Sequence, residues 1–235
     1  MRFALLLRDD YSGAPIADGG QLFLVNGRPA RPIRKPEGFY VFLAPPGPVP
    51  DAESRWTVQI ESPRHFPRTV HISAPQLDPH MPLCTVQMYR RPHTGFSDCA
   101  WLEAAAPPGT LAVALYGPDP PLALARFSPD GTGLYLQGYA AANLLWRRLC
   151  VGEGQDAELF TLTARRTDGG YGIDRSPARE HPAGTPVYLA ACGPAGAGGR
   201  CSIPVRPGSG APLTVRIYDE EAMRWRETSC AAGHS

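Results

Sequence analysis

The sequence predicts an all-β protein: an N-terminal antiparallel β-sandwich followed by a second β-rich domain, either barrel or sandwich. Three observations lead there. Apolar runs are short and recur at intervals of roughly eight to eighteen residues, the spacing of antiparallel strands. Proline at 27 and glycine at 25 are high, and they fall between these runs as turn punctuation rather than as a low-complexity tract. No segment keeps a helical period over three turns; the best candidate, 138–148, is alanine-rich but short.

The first domain can be justified turn by turn. Residues 3–7 are apolar and stop at Arg8 and Asp9, which makes a first strand. This run is shorter than a secretory signal core, and no stretch approaches the ~20 apolar residues of a membrane span. The protein is therefore expected to be made and kept in the cytoplasm, unless a route other than Sec exports it. Asp10-Tyr-Ser-Gly13 reads as a turn, with the Asp side chain capping backbone N–H groups and Gly13 supplying positive φ. Pro15 stiffens the entry to strand 21–25, where Leu22 and Leu24 face one side and Phe23 and Val25 the other.

Pro36-Glu-Gly38 is a second turn, after which Phe39, Val41 and Leu43 alternate with Tyr40 and Phe42. The proline-rich 44–50 is expected to be an exposed connection, because burial would strand its carbonyls. Trp56, Val58 and Ile60 share a face, and runs 69–72 and 84–89 complete a domain over residues 1–90. Residues 91–109 lack periodicity and read as a linker. The second domain, 110–235, opens with strands at 110–116, 122–127 and 134–139, separated by Gly117-Pro-Asp-Pro-Pro121 and Pro129-Asp-Gly-Thr-Gly133.

Chemistry is sparse. A net charge of +1 leaves no electrostatic footprint for nucleic acid or an acidic membrane. The six cysteines form no C-x-x-C pair, and Cys84 and Cys150 sit in apolar runs as core thiols. Cys192 and Cys201 flank the glycine-rich 193–199 and could bridge it if oxidised, but reduced thiols are expected throughout. His80 and His93 imitate a metal cluster with Asp78. Pro79 and Pro82 place that stretch in a loop, without the rigid three or four ligands zinc needs.

Asp174, Glu180 and His181 imitate an acid–base pair. In the simpler account Asp174 accepts from backbone at a strand end, and His181 packs in the turn before Gly184. The 193–199 loop has neither a Lys-Ser/Thr ending nor a following helix, so it is no phosphate cradle. Phe66, Phe96, Trp101 and Trp225 lie in Pro- or Arg-flanked stretches where a sugar or partner could stack, with core packing the simpler account of the tryptophans. No catalytic, cofactor-binding or metal-ligating residue is assigned, and no enzyme activity is expected.

Two resemblances bear on role. The order Arg8-Asp-Asp-Tyr-Ser-Gly-Ala-Pro-Ile16, Lys35-Pro-Glu-Gly-Phe-Tyr-Val-Phe42, the Pro-Pro-Gly turn and Trp56-Thr-Val-Gln-Ile60 with its Ser62-Pro-Arg-His-Phe66 ending resembles the carboxypeptidase regulatory-like, or transthyretin-like, β-sandwich module. That resemblance covers residues 2–90 and implies a non-catalytic module that docks on, props up or spaces other domains. Further along, Glu158, Tyr171, Ile173, Asp174, His181, Gly184, Thr185 and Val187 resemble a small β-roll of phage-tail and tail-like proteins, departing from it where Pro177 and Ala178 replace an apolar residue.

Together the resemblances imply a structural component of a phage tail-like particle or contractile injection system. Its partners would be other protein subunits, with no cofactor and no nucleic acid. The alternative is a carbohydrate- or surface-binding accessory module with a glycan contact. A hydrolase with a site assembled only in three dimensions stands third, and it requires a deep pocket holding a perturbed histidine or carboxylate.

Overall fold

A computed structural model describes residues 3–43, 55–73, 77, 80, 82–118, 121–138, 144–206, 212 and 214–229. The chain is all-β, as predicted, and divides into two compact units: Met1–Asp9 with Ala14–Gly95, and Asp10–Gly13 with Phe96–Ser235.

In the first unit the strands are β1 (Phe3–Asp9), β2 (Leu22–Val25), β3 (Arg28–Ala30), β4 (Ile33–Lys35), β5 (Phe39–Phe42), β6 (Arg55–Glu61), β7 (Arg68–Ser73) and β8 (Leu83–Met88). They form two four-stranded sheets, β4-β5-β1-β8 and β3-β2-β6-β7. Alternation decides which side chains point between the sheets. Phe3, Leu5 and Leu7 of β1 meet Tyr40, Phe42, Val86 and Met88 from their own sheet, and Phe23, Val25, Trp56, Val58 and Ile60 from the other. The Phe3 ring stacks on Phe42 at 4.6 Å and tilts against Trp56 at 5.1 Å. Each such side chain removed from water contributes roughly 1.5–3 kcal/mol, so this shared core holds the sandwich closed.

The pairing is antiparallel with one exception. β1 and β8 run parallel, Ala4 opposite Leu83 through to Asp9 opposite Met88, which departs from the fully antiparallel sandwich expected. β3 and β4 were also unforeseen. They bury almost nothing, so no apolar period marks them.

The second unit contains β9 (Ala100–Ala105), β10 (Leu111–Tyr116), β11 (Leu122–Phe127), β12 (Gly133–Gln137), β13 (Arg148–Val151), β14 (Glu158–Arg165), β15 (Tyr171–Ile173), β16 (Pro186–Pro194), β17 (Arg200–Val205), β18 (Thr214–Asp219) and β19 (Arg224–Ser229). Residues 91–109 are therefore not a linker: the first unit runs to Gly95, the second resumes at Phe96, and β9 lies inside the span. Leu102 and Ala104 alternate inward against Ile203 and Cys201 of β17, a two-residue period too weak to register in the sequence. The expected connection 44–50, Tyr139, Cys230 and His234 lie outside the described residues, as does most of the alanine-rich candidate 138–148. The end of that candidate, from Arg148, is strand.

Among the described strands β11, β12, β15, β14, β13 and β16 pair in that order, and β11 also pairs with β16, so six strands close a ring. Closure leaves the ring without free edges. Its interior holds Leu124, Leu134, Leu149, Phe160 and Leu162, each buried. β16 outlasts the ring: past Leu189 its free edge takes β10, and the sheet continues to β18 and β19.

On one side of that extension, Ala112, Ala114, Val215 and Ile217 pack against the β9–β17 pair. The layers touch closely where β16 turns into β17. A Cβ on Gly193 would lie 2.4 Å from the Ser202 carbonyl oxygen, so no larger residue fits. The other side carries Val113, Cys192 and Arg216 in one cross-strand row, Leu115, Ala190, Thr214 and Arg148 in the next, and Tyr188 opposite Cys150. It is on this second side that the polar chemistry of the unit collects.

Candidate functional site

A cavity of about 410 Å³ opens on that second side, where β18, β10 and β16 pass the turn after β13. Its apolar base is Leu115. Gly152 and Gly154 contribute no side chains, and Glu153, Tyr188, Thr214 and Arg216 supply the polar groups. Strand geometry places them: Thr214 and Leu115 are cross-strand partners, Arg216 is two residues along the same face of β18, and Tyr188 projects from β16 opposite Cys150.

The electrostatics are divided between two walls. On one, the Tyr188 hydroxyl donates to Glu153 Oε1. That hydrogen bond, followed by burial and the nearby carboxylate charge, pushes the phenol up to about 12. On the other, the Arg216 guanidinium lies 4.1 Å from the centre of the Trp225 ring. Trp225 is itself fixed, donating its Nε1–H to the Ala157 carbonyl at 2.7 Å and meeting Tyr218 edge-on at 5.0 Å. Among the described residues Arg216 makes no ion pair, and burial pulls its pKa below the usual arginine value. Below the surface the Cys150 thiol is pushed up to about 12 by burial. The arrangement can hold an anion at one end and a hydrogen-bond donor at the other. No histidine lines it, and no nucleophile–base pair faces it.

None of the residues singled out from sequence lines the cavity, although Trp225 and Cys150 stand behind its walls and His181 lies 3.4 Å from where a Cβ on Gly152 would be. His181 pairs with Glu158 rather than with Asp174, Nε2 to Oε2 at 2.9 Å. Glu158 also accepts the backbone N–H groups of Ala178 at 3.0 Å and Arg179 at 3.2 Å, so the carboxylate is occupied in anchoring the loop before β16. Asp174 accepts the Thr161 N–H at 2.9 Å, the backbone role expected of it, and Glu180 is exposed. Cys192 and Cys201 are both buried thiols outside any disulfide, and Cys201 donates to the Ala104 carbonyl at 3.2 Å. They do not face each other across a hairpin, because β17 ladders with β9 and not with β16. Trp225 is core, as expected of the tryptophans, Trp101 and Phe96 are half-buried, and Phe66 packs beneath Arg91 at 5.9 Å.

Two polar clusters escaped the sequence. In the first unit Asp9 Oδ2 accepts from Arg90 Nε at 2.8 Å and contacts His65 Nε2 at 3.1 Å, while Ser62 Oγ contacts His65 Nδ1 at 3.2 Å. This has the composition of a catalytic triad but not its access: Ser62, His65 and Asp9 are 6%, 3% and 5% exposed, and Arg90 shares the carboxylate. It staples the end of β1. In the second unit buried Arg148 donates to Asp10 Oδ1 at 2.7 Å and to Glu220 Oε1 at 3.0 Å. Asp10 is thus an ion-pair partner of Arg148, a role the sequence reading of it as a turn cap did not include. Gly13 has the predicted positive φ of 72°, and a Cβ there would also strike the Leu145 carbonyl at 2.7 Å.

Among the described residues no three His, Cys, Asp or Glu side chains converge on a point that could hold a metal ion, and no helix is long and apolar enough to cross a membrane. No protein-family model matches the chain, and comparisons with curated proteins and with solved structures find no match.

Proposed function

We propose that this chain is a non-catalytic structural subunit of a larger protein assembly, of the phage tail-like or contractile injection class, docking through faces and edges of its sheets. The observation that carries the reading is the second face of the β4-β5-β1-β8 sheet. A sandwich sheet ordinarily presents polar residues outward. Here the cross-strand row Ile33, Val41, Ala4, Leu83 is apolar on the side away from the shared core; Ala4 at its centre is buried and Val41 and Leu83 are half-buried, so the open part of the row is its β4 end. Ile33 is 45% exposed and Leu43, beyond the end of β5, 55%. Beside this face β4 is an edge strand, guarded only by exposed Arg34 and Lys35. An exposed apolar patch beside an open edge suits addition of a neighbouring subunit's strand or loop.

The resemblance of residues 2–90 to a non-catalytic docking module supports the same reading. The resemblance of the β13–β16 region to tail-like β-rolls is what points to the class of particle. The test is to isolate the tagged chain from its native lysate and image it by negative stain. Wild type is expected to travel with a large particle. The double variant Ile33→Glu, Leu43→Glu is expected to melt normally and elute free. A wild-type chain that elutes as a monomer and binds glycans would instead establish the accessory-module alternative.

A further inference from the structure

We propose that the cavity between β18, β10, β16 and the Gly152–Gly154 turn is a binding site for a small organic acid that carries a hydrogen-bond donor at its far end. The inference does not depend on the assembly reading, since it concerns a face of the second unit alone.

Three features select this chemistry. Arg216 is a half-buried cation whose guanidinium lies 4.1 Å over the Trp225 ring, with no ion pair among the described residues. A guanidinium in that state binds a carboxylate in a forked geometry, and the Thr214 hydroxyl stands beside it on the same strand. Glu153 provides the opposite preference. One of its oxygens takes the Tyr188 hydroxyl, and the remaining acceptor sites of an ionised carboxylate call for another donor, a hydroxyl or an ammonium. Between the two lies Leu115, which favours a methylene or the C–H face of a sugar ring. The space exists because Gly154 has open room where a side chain would stand. At about 410 Å³ the cavity lies within the range that holds compact ligands.

An anion with a distal donor can be a sugar acid or an ω-amino acid, and titration calorimetry separates them. The probes are D-glucuronate and γ-aminobutyrate, with glucose (donors, no anion) and butyrate (anion, no donor) as controls. At least one of the first two is expected to bind at least about tenfold more tightly than its control, the worth of one hydrogen bond to a charged group. Glucuronate alone identifies a hydroxylated acid; γ-aminobutyrate alone identifies an amino acid. Arg216→Gln is expected to abolish binding. Glu153→Gln and Thr214→Val, both at exposed positions that leave the fold intact, are each expected to weaken it. Tryptophan emission provides a second readout, because Trp225 carries the guanidinium. Binding of neither acid to the folded wild type, equal binding of acid and control, or binding unchanged in Glu153→Gln and Thr214→Val would overturn the site.

Discussion

Arg148 donates its Nε–H to Asp10 across 2.7 Å, although the two residues are 138 positions apart, and both side chains are buried. The same guanidinium reaches Glu220 at 3.0 Å. One residue of β13 thereby ties the Asp10–Gly13 segment and the end of β18 into the second unit. Removing one partner of such a buried network strands the other charges, at a cost of about 3–5 kcal/mol. Arg148→Ala is expected to lose that much in urea denaturation followed by Trp fluorescence. Arg148→Lys should lose less, because it keeps the charge and forfeits only the forked donors. A loss below about 1 kcal/mol for the alanine variant would mean that the contact has surface-pair strength and anchors nothing.

Gly193 makes a steric prediction free of any backbone-angle effect, since its φ is not positive. A Cβ there would meet the Ser202 carbonyl oxygen at 2.4 Å and the Ile203 Cα at 3.2 Å. Gly193→Ala should destabilise by about 1–3 kcal/mol, as overpacking does. Gly27 offers the comparison: nothing lies within 4 Å of where its Cβ would stand, but its φ is 75°. Gly27→Ala should cost about 1 kcal/mol through backbone strain alone. Thermal melts of the two variants distinguish the mechanisms, and equal shifts would argue against close approach at Gly193.

Tyr188 should titrate near 12 rather than at its ordinary 10.0. The hydrogen bond to Glu153 favours the neutral phenol, so its stabilising contribution is complete below about 10 and disappears as pH rises through about 12. Difference absorbance between the wild type and Tyr188→Phe isolates this phenol from the other tyrosines. Glu153→Ala should move the midpoint back toward 10.0 by removing the accepting oxygen, the first cause of the shift, together with its charge. A midpoint that Glu153→Ala leaves in place would assign the shift to burial instead.

Cys150 and Cys192 should resist alkylation in the native protein. Burial raises both thiols, Cys150 to about 12, while the thiolate is the reactive form. At about pH 8 only on the order of one Cys150 thiol in ten thousand would be ionised, even before access is considered. Iodoacetamide followed by peptide mass mapping should find both unmodified until urea is added. Native labelling at the rate of a free thiol would show that β13 and β16 open locally.

The strands with one buried face were legible because their period is written in the residues. Phe23 and Val25, Tyr40 and Phe42, and Trp56, Val58 and Ile60 share faces as their alternation predicted, and the fold turns each of those faces into the core, a choice the alternation left open. β3, β4 and β9 were not legible, because they bury too little or pack through alanine. The loop readings were half right: Gly13 makes its turn, and Asp174 caps backbone, but the partner of His181 is Glu158, 23 positions earlier. None of the cavity residues stood out, since a lone Arg, Tyr, Glu or Thr on a strand is ordinary until another strand is laid beside it.

The sequence by itself determined the all-β class, the faces of the well-patterned strands and the positions of the tight turns, since each follows from interactions among residues near in the chain. Tertiary structure alone decided the parallel pairing of β1 with β8, the closure of six strands into a ring, the Asp10–Arg148–Glu220 network and the cavity walled by Glu153 and Arg216. Those features depend on which strand edges meet. Many pairings satisfy the same alternation, and the choice among them is made by packing and buried charge between residues that the chain order keeps far apart.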